Sequence, residues 1–340
     1  MTAAPRLGLR LHGGIAPRRC MELARAAEEN GFSSAWFAEN PFNRGVLPAA
    51  AACAVATSRL RIGIGVFNPY NRHPTLIAME FGALDELADG RAALGIGSGI
   101  GDAVERMGFD YGKPIGALRD AFAIIRPLLR GETVTHDGKV FSAKGVKLDF
   151  QPARPDMALF MAARGDQSLR LCGRVADGLM ISNMCAPGFT DHAVGIVNEA
   201  ARDAGRQTEF EVIQYVPCAI NRDHHAAVRE AKDALGKMLP GFWALGQRFG
   251  AAKAAMLRGS GIDEAEFAAA ADRLGAGEPA TDVLDDRFVA AFAIAGTAEE
   301  CVAQSEIYSK AGVTELVLTF VGDKPENGMA ELGRHIATSR

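Results

Sequence analysis

The sequence predicts an α/β fold, a single TIM (β/α)8 barrel. Apolar, strand-like runs alternate with helix-period stretches along the whole chain, which is typical of parallel strands joined by helical crossovers. Eight such runs, nearly all separated by helical stretches, favour a closed barrel over an open sheet. The predicted strands are 6–11, 33–38, 61–67, 92–97, 158–162, 178–182, 210–220 and 315–321.

The helical stretches between these runs end in recognisable stop signals. They are predicted over 16–30, 47–57, 74–87, 116–129, 167–175 and 189–204. Gly31, Gly90, Gly205 and Gly312 stand where a helix calls for a left-handed C-terminal cap, which glycine adopts without a steric penalty. These glycines support the alternation of strand and helix.

Residues 61–99 form the clearest βαβ unit of the chain. An apolar run ends in the proline-bounded loop 68–73, a helix follows over 74–87, and a second apolar run opens into a glycine loop. Such a unit makes its two strands parallel, with a right-handed crossover. Both loops therefore leave the carboxyl ends of their strands, on the face where α/β proteins bind ligands.

Two stretches interrupt the alternation. Residues 131–148 carry Asp137-Gly138 between β-rich flanks, which predicts an inserted β-hairpin. Residues 223–285 are helical, alanine-rich and too long for one barrel helix, so we expect a helical excursion after strand seven that serves as a lid or an interface. Because no linker-like change of composition occurs, we expect one domain, residues 1–340.

Composition and charge exclude several classes of function. Apolar residues make up 48% and charged residues 23% of the chain, as in ordinary globular proteins. A net charge of −4 gives no support for a nucleic-acid partner, and no apolar run has the length of a membrane span. Six scattered cysteines without a CxxC pair predict a reduced, cytoplasmic protein and no metal site.

The residues that follow the predicted strands define a candidate site. They are His12-Gly13-Gly14, Glu39-Asn40, Asn68 to Asn71, Gly97 to Gly99, Ala163 to Gly165 and Ser182-Asn183. The set is rich in amides and glycines, and it lacks the HxH, HExxH and Gly-x-Ser-x-Gly patterns of metal and acyl-transfer centres. We therefore expect cofactor chemistry, in which the protein orients a bulky, planar, polar group.

Several of these residues have two open interpretations. The loop from Gly95 to Gly101 fails the dinucleotide fingerprint, so it is either a tight turn or a close backbone approach to a ligand. Arg164 either binds a phosphate at the start of a helix capped by Asp166, or pairs with a loop carboxylate. Glu39-Asn40 is either plain loop polarity or a pair that orders substrate or cofactor.

Four segments, 36–40, 65–99, 161–182 and 292–318, also carry a family resemblance. In this order they resemble the bacterial luciferase-like superfamily, nearest the branch of coenzyme F420-dependent methylenetetrahydromethanopterin reductases. The resemblance implies a TIM barrel that binds F420, or alternatively FMN, at its C-terminal mouth. It further implies a non-prolyl cis peptide at Gly65–Val66, as a backbone bulge behind the central ring of the cofactor.

Site residues can be carried over from this resemblance by position. The implied cofactor-binding residues are Gly65, Val66, Phe67 and Asn68 at the ring, Gly97, Ser98 and Gly99 at its polar edge, and Ala163, Arg164, Gly165 and Asp166 at the phosphate, with Asn183 nearby. The catalytic candidates are Glu39, Asn40 and Arg10. Here the chain departs from the branch, since Arg10 replaces an acid and Glu39-Asn40 replaces an acid–histidine pair.

We therefore expect an oxidoreductase that transfers hydride between reduced F420 and an organic acceptor. The alternative is a two-component monooxygenase, in which reduced FMN reacts with oxygen and a small organic molecule is oxidised. A third, non-enzymatic possibility is a cofactor-storage or regulatory flavoprotein. The expected partners are a small-molecule substrate, a reductase that supplies reduced cofactor, and a second copy of the chain in a homodimer.

Overall fold

The computed structural model describes residues 4–206, 209–322 and 324–338, and all eight predicted barrel strands are present. The strands are β1 (Arg6–His12), β2 (Ser34–Ala38), β3 (Arg61–Phe67), β4 (Ala92–Ile96), β5 (Val134–His136), β6 (Ala143–Val146), β7 (Leu159–Ala162), β8 (Gly178–Ile181), β9 (Glu211–Ile220), β10 (Ile294–Gly296) and β11 (Glu315–Phe320). Parallel pairing runs in the order β11-β1-β2-β3-β4-β7-β8-β9, and β9 pairs with β11 to close the cylinder. The predicted TIM barrel is confirmed.

Helices surround the barrel and extend beyond it. They are α1 (Pro17–Glu29), α2 (Leu47–Ala56), α3 (Pro74–Leu87), α4 (Gly101–Arg106), α5 (Pro114–Leu129), α6 (Asp166–Val175), α7 (Pro187–Asp203), α8 (His224–Arg248), α9 (Gly250–Leu257), α10 (Glu264–Gly275), α11 (Ala280–Val283), α12 (Asp286–Phe292), α13 (Ala298–Lys310) and α14 (Pro325–Thr338). The four predicted cap glycines all have φ between 67° and 95°. None of the helices in the described part of the chain is long and apolar enough to cross a membrane.

Strand β1 shows how the sequence divides its residues between the two sides of the barrel wall. Leu7, Leu9 and Leu11 are buried against the helical layer. The alternate residues, among them Arg10 and His12, therefore face the barrel interior. Trp36 of β2, Phe160 of β7 and Val317 of β11 pack together in this interior.

The predicted hairpin is present, with a longer connection than a two-residue turn. Strands β5 and β6 are antiparallel, and residues 137–142 join them. The carboxylate of Asp120 in α5 accepts the N–H groups of Val140 and Phe141 and lies 3.1 Å from His136 Nε2. This carboxylate, rather than Asp137-Gly138 alone, holds the loop in shape.

Replacement of Asp120 with alanine is expected to lower the free energy of unfolding by about 1–3 kcal/mol, because two partly buried N–H groups lose a charged acceptor. Burial opposes ionisation, yet the hydrogen bonds from Val140, His136 and Phe141 lower the pKa of Asp120 overall. The stabilisation is therefore present above about pH 4 and is lost as the pH falls through the lowered pKa.

Urea unfolding at several pH values measures this stabilisation. Asp137→Ala is the control, since Asp137 is exposed, and an equal loss there would contradict the assignment.

The helical excursion is longer than its predicted limits of 223–285. It continues through α12 and ends in β10, which adds to the edge of β9. Neither element is evident in the sequence, because seven-residue and three-residue segments are too short to show a period. The excursion has its own core, in which Trp243 stacks on Phe267 at 5.5 Å and Phe292 packs beside them.

Candidate active site

The end of β3 brings the backbone itself into the barrel mouth. The peptide bond between Gly65 and Val66 is cis, at the position that the resemblance implies. The hydroxyl of Tyr215 in β9 donates to the carbonyl oxygen of Gly65 at 3.1 Å, across the barrel interior. A Cβ atom on Gly65 would lie 2.0 Å from that hydroxyl and 2.4 Å from Met180 Cε, so a larger residue there requires these side chains to move.

The glycine loop after β4 packs directly against this bulge. A Cβ on Gly97 would lie 2.5 Å from Val66 Cγ2, which makes Gly97 a point of close approach. Gly99 has φ +80° and faces the Asn68 side chain, so it fits the interpretation of a tight turn. The hydroxyl of Ser98 accepts a hydrogen bond from the hydroxyl of Tyr111 at 3.0 Å. The tight turn applies to Gly99, whereas the close approach at Gly97 is to Val66 of the chain itself.

Asn68 and Phe67 face different environments. Asn68 is buried at the mouth, where its Oδ1 accepts the N–H of Tyr70 at 2.9 Å. The Phe67 side chain is fully buried in the helical layer, beneath the guanidinium of Arg72 at 4.3 Å. The bulge turns Val66 inward instead. The implied place of the Phe67 side chain beside the ring is therefore wrong, because only its backbone can reach the mouth.

Glu39 is committed to an ion pair. Both of its carboxylate oxygens lie 3.1 Å from Arg72 Nη1, and Arg72 Nε lies 2.7 Å from Glu80 Oε2. The pair connects the loop after β2 to the loop after β3. Asn40, the next residue, is partly exposed at the mouth.

Arg10 places an uncompensated positive charge inside the barrel. Its guanidinium lies 5.3 Å from the centre of the Tyr215 ring, and its buried Nε has no hydrogen-bond partner. Burial lowers the pKa of Arg10, and no carboxylate in the described ranges lies within ion-pair distance of it. Burial and the charge of Arg10 also lower the pKa of His12, whose Nδ1 accepts the N–H of Gly14. His12 is therefore neutral at pH 7.

Arg164 occupies the opposite side of the mouth, after β7. Its Nη2 donates to the carbonyl oxygen of Asn183 at 2.8 Å, and its guanidinium lies 5.0 Å from the Phe242 ring. Its buried Nη1 has no partner, and among residues 4–206, 209–322 and 324–338 it forms no ion pair with a carboxylate. The alternative prediction, that Arg164 pairs with a loop carboxylate, is therefore wrong.

The predicted start of the following helix is displaced by one residue. Gly165 is the N-terminal cap of α6, and Asp166 lies within the first turn, 3.4 Å from His192 Nε2. The prediction that Asp166 caps the helix is wrong, because the extended backbone that a cap requires falls on Gly165. The side chain of Ala163 is buried in the outer core, so this residue offers only its backbone to the mouth.

Seven buried side-chain polar atoms in the described residues have no hydrogen-bond partner, and four of them belong to the candidate site. These four are Arg10 Nε, Arg164 Nη1, Asn183 Oδ1 and Thr319 Oγ1. All four lie near the carboxyl ends of barrel strands or just beyond them, and each unsatisfied buried group costs about 1–3 kcal/mol. Buried polar atoms that lack partners at one edge of a barrel are the kind that a polar ligand can satisfy.

Sequence reasoning missed Thr319 and Tyr215. Both lie inside apolar runs, where a single polar residue carries little signal. The two-residue period of a strand does provide a signal. Thr319 lies two residues after Val317, and Tyr215 two residues after Ile213, so each falls on the inward-facing side of its strand.

The helical excursion borders this region. The Cβ of Ala251 in α9 lies 3.0 Å from where a Cβ on Gly165 would stand. Arg248 at the end of α8 forms ion pairs with Asp102 and Glu105 of α4. The excursion therefore contacts the segments that follow β4 and β7.

Comparison with known proteins decides the family. The family described as luciferase-like monooxygenase matches residues 1–315. The chain belongs to this family. A 5,10-methylenetetrahydromethanopterin reductase from Methanolobus tindarius is 30% identical, over 92% of this chain and 94% of that protein. The resemblance predicted from the sequence is confirmed.

Two further proteins are similar to this chain. An F420-dependent glucose-6-phosphate dehydrogenase from Beutenbergia cavernae is 30% identical, over 64% of this chain and 69% of that protein. The solved structure of the coenzyme F420-dependent tetrahydromethanopterin reductase from Methanopyrus kandleri superposes with a TM-score of 0.85 at 25% identity, covering 99% of both chains. Oxidoreductase chemistry is common to all three relatives.

Proposed function

We propose that this family member transfers hydride between reduced coenzyme F420 and an organic acceptor at the barrel mouth. Four unpartnered buried atoms, from Arg10, Arg164, Asn183 and Thr319, carry the proposal, because each lies at or just beyond the carboxyl end of a barrel strand, on the same edge as the glycines that end β3 and follow β4. The relatives named as F420-dependent support this choice of cofactor over FMN. A deazaflavin supplies the hydride chemistry, and the protein contributes position and charge.

The residues of the mouth fit a large planar cofactor with an anionic tail. The backbone of Gly65 and Val66 and the glycines that follow β4 offer a wall without protruding side chains. Arg164 has a free donor at Nη1 for a phosphate oxygen, and Asn183 has a free acceptor beside it. We assign Asn68, Ser98 and Gly99 to the polar edge of the ring.

The acceptor side of the mouth carries the positive charge. In our proposal Arg10 stabilises negative charge on the acceptor oxygen, where its buried guanidinium has no competing carboxylate. Neutral His12 and Asn40 orient the acceptor by hydrogen bonding. Glu39 acts as a positioning residue through Arg72, since its carboxylate is already engaged.

Titration of the apoprotein with each cofactor tests this proposal. We expect F420 to bind at least about tenfold more tightly than FMN, a difference of about 1.4 kcal/mol. Turnover of F420 with an organic acceptor then separates an enzyme from a storage protein. Tight binding of FMN without affinity for F420 would overturn the proposal in favour of the two-component monooxygenase, which needs a partner reductase.

We also propose a homodimer through the outer faces of α2 and α3. Leu76, Met79 and Leu87 are exposed on one face of α3, and Val55 is exposed on the adjacent α2. Four large apolar side chains on neighbouring helices form a patch of the kind that marks a protein interface.

Met79→Arg is expected to convert the dimer to a monomer, because it buries a charge without a partner at the centre of the patch. Sedimentation velocity measures the change. Ile307→Arg provides a matched control, since Ile307 is equally apolar and exposed but lies on α13. A wild-type chain that sediments as a monomer, or a dimer lost equally in both variants, would refute this interface.

For location we propose the cytoplasm. The six cysteines are all free and buried, and none is paired in a disulfide. Such usage fits a reducing compartment. Fractionation of the native host, with the chain in the cytoplasmic fraction, is the expected result.

A further inference from the structure

A cavity lies outside the barrel mouth, behind the loops that border the site. It has a volume of about 570 Å3 and lies between the loop after β3, the segment joining α4 to α5, and the hairpin loop. We call it the aromatic pocket, lined chiefly by Tyr70, His73, Phe109, Lys113, Lys139 and Phe141. Its volume is in the range of small-molecule sites.

The walls of the aromatic pocket are flat and apolar. The Phe141 ring packs edge-on against Tyr70 and against His73, with 5.7 Å between ring centres in each pair. Phe109 leaves 47% of its surface exposed. An exposed large aromatic side chain beside a ring-lined cavity indicates a planar apolar occupant.

The rim of the aromatic pocket is positively charged. Lys113 and Lys139 are exposed, and neither takes part in an ion pair with any residue that the structure describes. Asp110, the acidic residue of the lining, accepts the N–H of Gly112 at 2.9 Å. Burial lowers the pKa of His73, so its ring adds no charge at neutral pH. Two ammonium groups against one carboxylate favour an anion.

An unsatisfied hydroxyl provides the polar contact inside. Tyr70 is only 7% exposed, and its buried hydroxyl oxygen lies near the backbone N–H of Lys113, whereas its proton has no acceptor among the described residues. Burial raises the pKa of Tyr70 to about 12, so the hydroxyl remains protonated at neutral pH and can donate. A buried donor without an acceptor is costly, and a ligand oxygen would satisfy it.

We propose that the aromatic pocket binds a small planar aromatic anion, an aryl carboxylate, at the same time as the barrel mouth is occupied. The aryl ring packs on Phe141 and Phe109, and the carboxylate accepts from Tyr70 and faces Lys113 and Lys139. The backbone between Asn68 and Tyr70 separates the two sites, as does Tyr111, whose hydroxyl meets Ser98 from the outer side. The inference does not depend on which cofactor the mouth binds.

The probe for this proposal is 2-naphthoate, whose fluorescence reports binding, with neutral 2-naphthamide as its isostere. We expect the anion to bind about tenfold more tightly than the amide. The double variant Lys113→Gln and Lys139→Gln is expected to abolish that preference while it retains affinity for the amide. Tyr70→Phe keeps the ring and is expected to weaken the binding of naphthoate about fivefold.

Two controls keep the result interpretable. Lys144→Gln with Lys147→Gln removes the same charge from exposed positions of the same hairpin region outside the pocket, and should leave both affinities unchanged. Arg10→Met should also leave naphthoate binding unchanged, whereas a loss there would place the probe in the barrel mouth and overturn the proposal. Equal affinity for anion and amide, or an equal effect of the two double lysine variants, would overturn it as well.

Discussion

Arg10→Met is expected to make the empty protein more stable and to abolish most of its turnover. The guanidinium lies inside the barrel with a free Nε and no ion pair with a described carboxylate, so its burial is uncompensated until a ligand arrives. Replacement by an apolar side chain of similar length removes that cost, about 1–3 kcal/mol. The same change removes the charge proposed to stabilise the acceptor, which typically lowers kcat by about 10²-fold or more.

Urea unfolding of the apoprotein and single-turnover oxidation of reduced F420 measure the two effects. Arg91→Met serves as the control, since Arg91 donates to the carbonyl oxygens of Ala54, Thr57 and Leu60. The identical substitution there is expected to lower stability, because it leaves those acceptors without a donor. A loss of stability in Arg10→Met, as in the control, would show that Arg10 has a structural role and refute its assignment to the acceptor.

Gly65→Ala is expected to lower the free energy of unfolding by about 1–3 kcal/mol and to eliminate cofactor binding. The added methyl group would stand 2.0 Å from the Tyr215 hydroxyl and 2.4 Å from Met180 Cε, so the wall of the mouth must move. Calorimetric unfolding and cofactor titration check the two parts. Gly195→Ala in α7 is the matched control, since it meets no atom within 4 Å and should gain about 0.5–1 kcal/mol.

A second substitution tests the stated cause. Tyr215→Phe removes the nearest atom, so the double variant Gly65→Ala with Tyr215→Phe should recover part of the lost stability. An additive result in this cycle would mean that the clash lies elsewhere. Unchanged stability in Gly65→Ala alone would show that the mouth tolerates a side chain at this position.

The barrel was predictable because its strands repeat a strong signal. The two-residue period predicts which residues of β1 face inward and which face outward. The left-handed backbone at a helix C-terminus predicts the positions of the cap glycines. The short elements α4, α12 and β10 could not be predicted, since they are stabilised by contacts with distant parts of the chain rather than by local pattern. Tertiary packing decides such segments.

The site was predictable at the level of loops and less so at the level of side chains. Strand ends define which segments share an edge of the barrel, and Asn68, Gly97 and Arg164 each follow a strand at its carboxyl end. The orientation of Phe67 depends on the bulge at Gly65–Val66, which reverses the alternation of inward and outward residues in β3. The engagement of Glu39 depends on Arg72, a partner from the next loop that no local spacing identifies.

The neighbouring strands β1 and β11 come from opposite ends of the chain, with Leu9 aligned to Leu318. Arg10 and Thr319 thus become neighbours only when the final strand inserts. During synthesis on the ribosome, nearly the whole polypeptide must emerge before these two residues can share a ligand. A chain truncated before β11 lacks both Thr319 and the strand that closes the cylinder, so we expect it to bind no ligand that requires both residues.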